Sequence, residues 1–265
     1  MDKQKVALLS TVANFGLYQK SSTLFPKDIQ RYVIDGTNGM HGMHSIKYMM
    51  SKLKGKGIEW LIMADEDVIF THSELVFSII NEMQTNDFTV CGVRDGGVIV
   101  HRKENPFAIN TFFSILNFKE IERVWRSNDV LKNQYILENE FNDDLSHLPF
   151  DYDVASVYEP YYCFYFWLRR MGKKILFLES KMGDDAISNK VYFKGDEVLC
   201  HTWYARSYGG NEKHTKRIDE ILEKRGEFKT GLPDLSKVIL YKKTTFALEQ
   251  KIHKLSRKII RKLFK

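Results

Sequence analysis

The sequence has few of the features that mark a secreted, membrane-spanning or disordered protein. Its three cysteines are widely spaced and none belongs to a Cys-x-x-Cys pair, which indicates buried thiols in a reducing compartment rather than a disulfide framework. No apolar run approaches the roughly 20 residues that a membrane span needs. Five prolines, 13% aromatic residues and the absence of repeats argue against disorder. We therefore expect a folded cytoplasmic protein whose opening segment is a strand and not a signal peptide.

The basic charge of the chain is concentrated at one end. The net charge is +6, yet residues 237–265 contain ten Lys or Arg and one acid, while the rest contains 30 basic and 33 acidic residues. The body is thus mildly acidic, and the basic end does not form a platform of interleaved aromatic and basic residues. Nucleic acid is not expected as a partner.

Residues 246–264 have the pattern of a basic amphipathic helix. One helical face is apolar and contains Leu248, Ile252, Leu255, Ile259 and Leu263, whereas six Lys or Arg occupy much of the rest. This pattern is typical of a helix that lies in the interface of an anionic membrane. The alternative is a helix that packs on its own body or self-associates. We predict a tail over residues 233–265 that associates peripherally with the inner face of the membrane.

The order of the predicted elements indicates an α/β protein. Strands are predicted over 5–12, 31–39, 58–64 and 88–100, and helices over 43–57 and 71–84. Strands that alternate with helices form a mostly parallel sheet covered by helices. The Phe-rich stretch 105–118 reads as a helix or as a lid over an apolar pocket, residues 175–180 as one strand, and 183–195 as a loop. We assign residues 1–232 to one domain, ahead of the tail.

Three acids follow the third predicted strand in the segment "EWLIMADEDVIF" (59–70). Ligands bind beyond the carboxyl ends of strands in α/β sheets. Alternation along an extended chain places Asp65 and Asp67 on one side and Glu66 on the other, and two close carboxylates repel unless a cation lies between them. Mg²⁺ and Mn²⁺ prefer such oxygens and share them with substrate phosphates. The alternative is a solvated acidic turn before a helix.

These motifs together resemble the nucleotide-sugar glycosyltransferases of the GT-A fold, especially the family 2-like group. "EWLIMADEDVIF" is similar to the strand and Asp-x-Asp motif of that family, "VALLSTVANF" to its first strand, and "YVIDGTNG" to its second strand and turn. "EPYYCFYFWLRRMGKKILFL" resembles the acceptor-side segment, and "CHTWYARSYGG" the late turn that contains a histidine. The resemblance covers residues 5 to about 210 and implies a Rossmann-like, mostly parallel sheet.

The resemblance also implies a donor and metal site. Asp67 would bind Mn²⁺ or Mg²⁺ directly, and Asp65 would contact the ribose or reach the metal through water. His201 would be a third metal ligand, since imidazole suits Mn²⁺. Asp35 would hydrogen-bond the base or ribose of a nucleotide-sugar donor, for which UDP is the preference.

The remaining implied roles concern the transfer step. Glu159 would be the general base that takes a proton from the acceptor hydroxyl, which corresponds to an inverting transfer, although the sequence leaves inversion against retention open. Arg206 would stabilise charge on the leaving diphosphate. Thr11 and Asn14 lie where the first strand of the family meets the nucleotide. A glycan or lipid-linked acceptor in surface polysaccharide or lipopolysaccharide synthesis would suit a membrane-bound enzyme.

One departure from the family and two alternatives remain. Only 30 positions separate Asp35 from Asp65, fewer than in the family, which indicates that a strand or loop of the nucleotide half is missing or compressed. A sugar-phosphate nucleotidyltransferase would have a Gly-rich loop after the first strand, whereas "STVANFGLYQK" has only Gly16. A non-enzymatic membrane adaptor would use the acidic turn only as structure.

Overall fold

The computed structural model describes residues 2–225 and 238–263, with side chains up to residue 256. The strands are β1 (Val6–Val12), β2 (Gln30–Asp35), β3 (Trp60–Ala64), β4 (Val68–Phe70), β5 (Phe88–Arg94), β6 (Gly96–Ile99), β7 (Arg102–Lys103), β8 (Ile109–Asn117), β9 (Lys174–Phe177), β10 (Glu179–Met182), β11 (Asn189–Phe193), β12 (Asp196–His201) and β13 (Val238–Tyr241). The helices are α1 (Phe15–Ser21), α2 (Gly42–Leu53), α3 (Leu75–Thr85), α4 (Phe118–Val124), α5 (Ser127–Leu131), α6 (Tyr162–Arg170), α7 (Glu212–Arg225) and α8 (Phe246–Leu263).

The main sheet has seven strands in the order β13-β2-β1-β3-β8-β5-β9. β8 runs antiparallel to both of its neighbours, and every other adjacent pair is parallel. Helices cover both faces, because the sheet strands are apolar on both sides and must be buried twice. The prediction of an α/β fold with a mostly parallel sheet flanked by helices is therefore confirmed.

The edge position beside β2 is filled from the far end of the chain. β13 pairs in parallel with β2, with Val238 opposite Arg31 and Tyr241 opposite Ile34. The short interval between Asp35 and Asp65 contains only α2 and β3, and β3 pairs with β1. The outer edge of β2 is therefore open to a strand from elsewhere in the chain. The sequence assigned all residues from 233 onward to a tail and did not foresee this strand. The predicted boundary at 232/233 lies outside the described residues.

A second sheet holds the late part of the chain against the first. Its order is β10-β11-β12-β4, and its neighbouring strands are antiparallel. Two predictions are wrong here: residues 175–180 divide between β9 of the main sheet and β10 of the second, and 183–195 include β11 instead of forming only a loop. Alternating burial along β11 explains the strand, since only one side of it faces the core.

The Phe-rich stretch is a central strand and not a helix or a lid. β8 lies between β3 and β5, with Ile62 opposite Ile115 and Cys91 opposite the same residue. A strand covered on both faces reads as a continuous apolar run, and this removes the alternation that would have identified it.

Two apolar cores lie on the two faces of the main sheet. One contains buried residues of α2, α4 and α6, and the other contains α3 and the second sheet. Residues that alternate along β1 divide between them: Leu9 belongs to the first and Leu8 to the second. Among the described residues, no helix combines the length and apolar character needed to cross a membrane.

Candidate functional site

A cavity of about 600 Å³ opens where β1, β2 and β3 end. Six of the eight side chains predicted to form the site line it: Thr11, Asp65, Asp67, Glu159, His201 and Arg206. Parallel strands end at the same edge of a sheet, and this edge is where α/β proteins bind ligands. The fold thus brings most of the predicted residues into one cavity although they span almost 200 positions of the chain.

The acidic turn joins the main sheet to the second one. The amide of Asp65 donates to the carbonyl of Phe112 on β8 (2.9 Å), and the amide of Val68 closes the turn on the carbonyl of Asp65 (3.1 Å). Val68 then begins β4, where it pairs with His201 of β12. Because strands hold both ends of the turn, its carboxylates have fixed positions at the carboxyl end of β3.

Glu66 turns away to support the loop after β1. Its Oε1 accepts hydrogen bonds from the amides of Ala13 (2.9 Å) and Asn14 (3.0 Å). Burial and the charge of Asp67 raise the pKa of Glu66 to about 7, while those backbone hydrogen bonds oppose the rise. This residue therefore connects the acidic turn with the first loop and carries an electrostatic cost when it is ionised.

Asp65 also has an unfavourable environment for its charge. Burial, then the charges of Glu66 and Asp67, raise its pKa well above the ordinary value, and the guanidinium of Arg206 opposes the rise. Arg206 is exposed, so its opposition is screened by solvent. Within the part of the chain that the structure describes, neither Asp65 nor Asp67 makes a salt bridge to Lys or Arg. When its carboxyl groups are ionised, the acidic turn thus holds more negative charge than the protein neutralises.

Asp67 and His201 are the pair best placed to hold a metal ion. Both side chains are buried, and Nε2 of His201 lies 3.4 Å from Oδ2 of Asp67. Two ligands of an octahedral ion, each about 2.1 Å from it, stand about 3 Å apart. The ring of His201 stacks on Phe112 with centroids 4.0 Å apart, which fixes the direction of Nε2. Its buried Nδ1 has no hydrogen-bond partner in the described part of the chain.

Within residues 2–225 and 238–256, no group of three His, Cys, Asp or Glu side chains is arranged to hold a metal ion by itself. Of the three predicted ligands Asp65, Asp67 and His201, only Asp67 and His201 are close enough to each other in the described residues to share one ion. A divalent ion bound through one or two protein side chains commonly completes its coordination with substrate phosphates and water. The carboxylate suits Mn²⁺ and Mg²⁺ alike, and the imidazole favours Mn²⁺ of the two.

A second acidic group, which we call the Asp95 cluster, adjoins the cavity. Asp95 follows β5 and is fully buried, and Arg102 binds both of its oxygens, through Nε (2.7 Å) and Nη2 (2.9 Å). Asn110 donates to Oδ1 (2.6 Å), and the hydroxyls of Tyr161 and Tyr162 donate to Oδ2. Every charge in the buried part of this cluster therefore has a partner.

Arg102 extends the cluster to Glu159. Its Nη2 lies 2.6 Å from Oε1 of Glu159, and both Arg102 and Glu159 line the cavity. Burial alone would lower the pKa of Arg102, but hydrogen bonds and charge from Asp95 raise it above the ordinary value. The candidate base is thus held in position through one of its oxygens by an arginine that remains charged.

The loop after β12 places strained aromatic residues at the cavity. Trp203 and Tyr204 have left-handed backbone conformations, with φ of 59° and 63°. Such conformations cost about 1–3 kcal/mol each for non-glycine residues and persist only where the surroundings hold them. Arg217 binds the carbonyl of Thr202 (2.6 Å), and the indole of Trp203 donates to Asn189 (2.9 Å). This backbone conformation places both aromatic residues in the cavity wall.

Asn14 and Asp35, the two other predicted residues, do not line the cavity. Asn14 caps α1 at the amide of Leu17 (3.0 Å), and its Nδ2 donates to the carbonyls of Ala205 (3.0 Å) and Tyr208 (2.7 Å). Its polar atoms are therefore engaged in structure. Asp35 ends β2 beside the cavity, but its carboxylate is covered by other side chains of the protein.

Sequence reasoning missed Asp95, Arg102 and Tyr161. The segment "CGVRD" is an apolar strand that ends in an acid, which is the same signal that identified Asp65. Applying that rule to β5 would have found Asp95. Arg102 and Tyr161 carry no local signal, because only the tertiary fold brings them to Asp95.

Comparison with known proteins gives distant structural likenesses only. No family model and no curated protein matches the chain. One similar structure is a mannosyltransferase from Pyrobaculum calidifontis in complex with GDP-Man and Mn²⁺ (7% identity, TM-score 0.31), where the match covers 48% of this chain and 49% of that one. This chain therefore matches about half the length of that protein.

Two further structures are matched over more of their length. They are mouse xyloside xylosyltransferase 1 (8% identity, TM-score 0.37, covering 66% of this chain and 84% of that one) and a protein from Desulfovibrio desulfuricans G20 described as a nucleotide-diphospho-sugar transferase (12% identity, TM-score 0.40, covering 84% and 98%). All three names belong to the class that the sequence motifs resemble. At these TM-scores the likeness carries no argument about activity, which must come from the site.

Proposed function

We propose that this protein is a metal-dependent glycosyltransferase that moves a sugar from a nucleotide-sugar, with UDP as the preferred nucleotide, to a hydroxyl of a glycan or lipid-linked acceptor. The observation that carries the proposal is the surplus of negative charge on Asp65 and Asp67 at the carboxyl ends of the parallel strands. A divalent cation would neutralise that surplus, and its remaining positions would bind the diphosphate of a donor.

Asp67 and His201 would hold Mn²⁺ or Mg²⁺ in this proposal. Such an ion supplies charge stabilisation for the leaving diphosphate. Asp65, half-buried beside them, would accept from the ribose or from a metal-bound water. Arg206 lines the same cavity and is close enough to lower the pKa of Asp65, so its guanidinium would approach the diphosphate from the same side.

Glu159 would act as the base for an inverting transfer. Arg102 engages its Oε1, and Oε2 is left to accept the proton of an acceptor hydroxyl. The Asp95 cluster would support this step by fixing Arg102, and through it the direction of the carboxylate. The aromatic residues Trp203 and Tyr204 at the cavity wall suit the apolar face of a sugar ring.

Binding of UDP measured by calorimetry tests the proposal. We expect binding with Mn²⁺ that is lost with a chelator and lost again in Asp67→Ala. Because Asp67 makes no hydrogen bond through its side chain to hold the fold together in the described residues, circular dichroism of Asp67→Ala should match the parent. Metal-independent nucleotide binding would overturn the metal assignment, and no nucleotide binding at all would favour the adaptor alternative.

Donor hydrolysis gives a second reading of the same site. UDP-sugars incubated with the parent and Mn²⁺ should release UDP slowly, and Asp67→Ala should release at least about 100-fold less, as expected for loss of a group that stabilises the leaving charge. Release of pyrophosphate from a nucleoside triphosphate and a sugar phosphate would instead support the nucleotidyltransferase alternative.

We also propose that α8 places the protein on an anionic membrane surface, where lipid-linked acceptors lie. Leu248, Ile252 and Leu255 are 57–60% exposed and recur at helical spacing, and Lys251 and Lys254 lie between them. An exposed apolar stripe beside basic residues favours insertion at such an interface. The side chains of Ile259 and Leu263, which continue the predicted face, lie outside the described residues.

Vesicle sedimentation tests this part separately. Replacing Leu248, Ile252 and Leu255 with Gln should abolish sedimentation with vesicles that contain phosphatidylglycerol, and UDP binding should be unchanged. A matched triple change of Lys251, Lys254 and Glu249 to Gln removes charge but keeps the apolar stripe, and should weaken sedimentation only in low salt. Unchanged sedimentation of the first variant would contradict the proposal.

A further inference from the structure

Asp35 is closed off by a residue from the far end of the chain. Its Oδ1 accepts from the amide (3.0 Å) and the hydroxyl (2.5 Å) of Thr37, and its Oδ2 lies 2.9 Å from Nζ of Lys242. The carboxylate is 5% exposed, whereas the next residue, Gly36, lines the cavity. Asp35 is therefore at the border of the cavity with its one remaining acceptor atom covered by a lysine.

The pairing of β13 with β2 fixes the backbone position of Lys242. Tyr241, the last residue of β13, pairs with Ile34, so Lys242 comes next to Asp35, the last residue of β2, at the carboxyl ends of two adjacent parallel strands. The backbone on the other side is also fixed, because the amide of the Asn38 side chain donates to the carbonyl of Lys243 (2.9 Å). The pairing register of β13 with β2 therefore places Lys242 beside the carboxylate of Asp35.

The next helix is anchored at the same place. Phe246, the first residue of α8, is 5% exposed and packs edge-on against His44, with ring centroids 5.3 Å apart. His44 lines the cavity. The segment from β13 to the start of α8 therefore borders the cavity on the side where the nucleotide half of the sheet ends.

Lys242 can move away from this ion pair more easily than Asp35 can. The Lys242 side chain is 56% exposed and can return to water at little cost, since pairs with an exposed partner contribute little to stability. Asp35 is buried and stays in place through Thr37. Burial opposes ionisation of Asp35, but hydrogen bonds from Thr37 and Lys242 lower its pKa below the ordinary value, so it remains a charged acceptor.

We propose that Lys242 competes with the nucleotide of the donor for Oδ2 of Asp35. The ligand groups that would take its place are N–H or O–H donors of the base or ribose, because Asp35 offers only acceptor atoms. Lys242 thereby lowers donor affinity and makes it depend on the position of the C-terminal segment. This inference rests on the proposed function, since it assumes that the cavity binds a nucleotide.

Calorimetric titration of the full chain with UDP and with GDP, in the presence of Mn²⁺, tests the competition. Lys242→Ala should bind about three- to five-fold more tightly than the parent, which corresponds to the range for a partly exposed ion pair. The difference should shrink in 0.5 M NaCl, because salt screens the pair in the parent. In an Asp35→Asn background, Lys242→Ala should change the affinity by much less.

Lys243→Ala is the matched control. It removes the same charge one position away, where Nζ pairs with Glu249, and it leaves the backbone carbonyl that holds Asn38. Its affinity should equal that of the parent. Equal gains in both lysine variants would show a general charge effect and overturn the proposal, as would equal or weaker binding by Lys242→Ala.

Failure of the competition and failure of the proposed function give different binding results. If the parent binds nucleotide with Mn²⁺ but Lys242→Ala binds no better, the competition is wrong and the proposed function stands. If the parent and every variant bind neither nucleotide, the proposed function is wrong and the competition falls with it. Binding by Lys242→Ala alone would support both.

Discussion

The acidic turn of Asp65, Glu66 and Asp67 and the Asp95 cluster adjoin the same cavity, and they differ in what neutralises them. Asp95 receives two hydrogen bonds from Arg102 and three from neutral donors, all within the protein. The acidic turn receives backbone hydrogen bonds at Glu66 and an imidazole at Asp67. One group is electrostatically complete and the other is short of positive charge.

This difference in neutralisation indicates a different role for each group. A buried carboxylate that is fully paired costs little to keep charged and serves to position its partners. Burial first, and repulsion between the neighbouring acids second, raise the pKa of Asp65 and of Glu66, so ionising this turn costs free energy. Groups with such perturbed pKa values cluster where a ligand is bound. We therefore propose that the Asp95 cluster positions its neighbours and that the acidic turn binds a ligand.

The largest effect that would break this comparison is on stability. Asp95→Asn removes the buried carboxylate that binds the partly buried guanidinium of Arg102 through both oxygens, and we expect a loss of about 3–5 kcal/mol in the free energy of unfolding. Asp67→Asn, measured in chelator, removes a like charge from a crowded site and should stay within about 1 kcal/mol of the parent. Urea denaturation of both variants at one pH measures the contrast.

The reverse order would contradict the assignment. If Asp67→Asn were the more destabilised variant, the acidic turn would be the structural element, as the reading of it as a solvated turn requires. If Asp95→Asn stayed within 1 kcal/mol, the bidentate pair would not be a determinant of the fold.

Metal addition sharpens the comparison at a smaller magnitude. Mn²⁺ at about 100 times its dissociation constant should raise the free energy of unfolding of the parent by about 2.7 kcal/mol. Asp67→Asn should lose most of that gain, because it weakens one of the two ligands. Tyr161→Phe, which removes one donor to Asp95, should lower the baseline but keep the metal-dependent rise. Thermal unfolding with Mn²⁺ or with chelator separates the two effects.

An equal metal-dependent rise in the parent and in Asp67→Asn would place the ion elsewhere. A smaller rise in Tyr161→Phe than in the parent would mean that the Asp95 cluster contributes to metal binding, and the separation of roles would fail.

The sequence predicted the acidic turn and not the cluster, for a physical reason. Asp65 and Asp67 are adjacent in the chain, and the strand before them is visible as an apolar run. Asp95 has the same local signal, but its partners come from β7, from β8 and from the start of α6 with the residue before it. No local pattern in the sequence indicates that these residues converge. Acids concentrated in sequence can be read as a site, whereas charges matched across the fold can be read only from the structure.

The same distinction explains the errors in the fold. β1 and β3 are apolar runs, and β2 ends in Asp35 at a turn, so these strands were predictable from the sequence. β8 is covered on both faces and lost its periodicity, which made it resemble a helix. β13 completes the edge beside β2 through a pairing more than 200 positions apart, and a segment read only for its charge gave no sign of it. Lys242 was missed together with that strand.

The smallest expected effect is the pH dependence that Glu66 of the acidic turn gives to stability. Glu66 has a folded pKa of about 7 against an unfolded value of about 4.5, so between these values the folded state holds a proton that the unfolded state has released. The free energy of unfolding therefore falls as pH rises through this window, by about 1–3 kcal/mol for this residue.

Glu66→Gln keeps an oxygen for the amides of Ala13 and Asn14 and removes the charge. In chelator it should match the parent near pH 4.5 and exceed its stability at pH 8. Urea denaturation of the two proteins across pH 4.5–8 gives the difference directly. Saturating Mn²⁺ should reduce that difference at pH 8, since the cation offsets the same repulsion that the substitution removes. If the parent and Glu66→Gln instead followed parallel pH profiles, the acidic turn would not be short of positive charge, and its contrast with the Asp95 cluster would lose its basis.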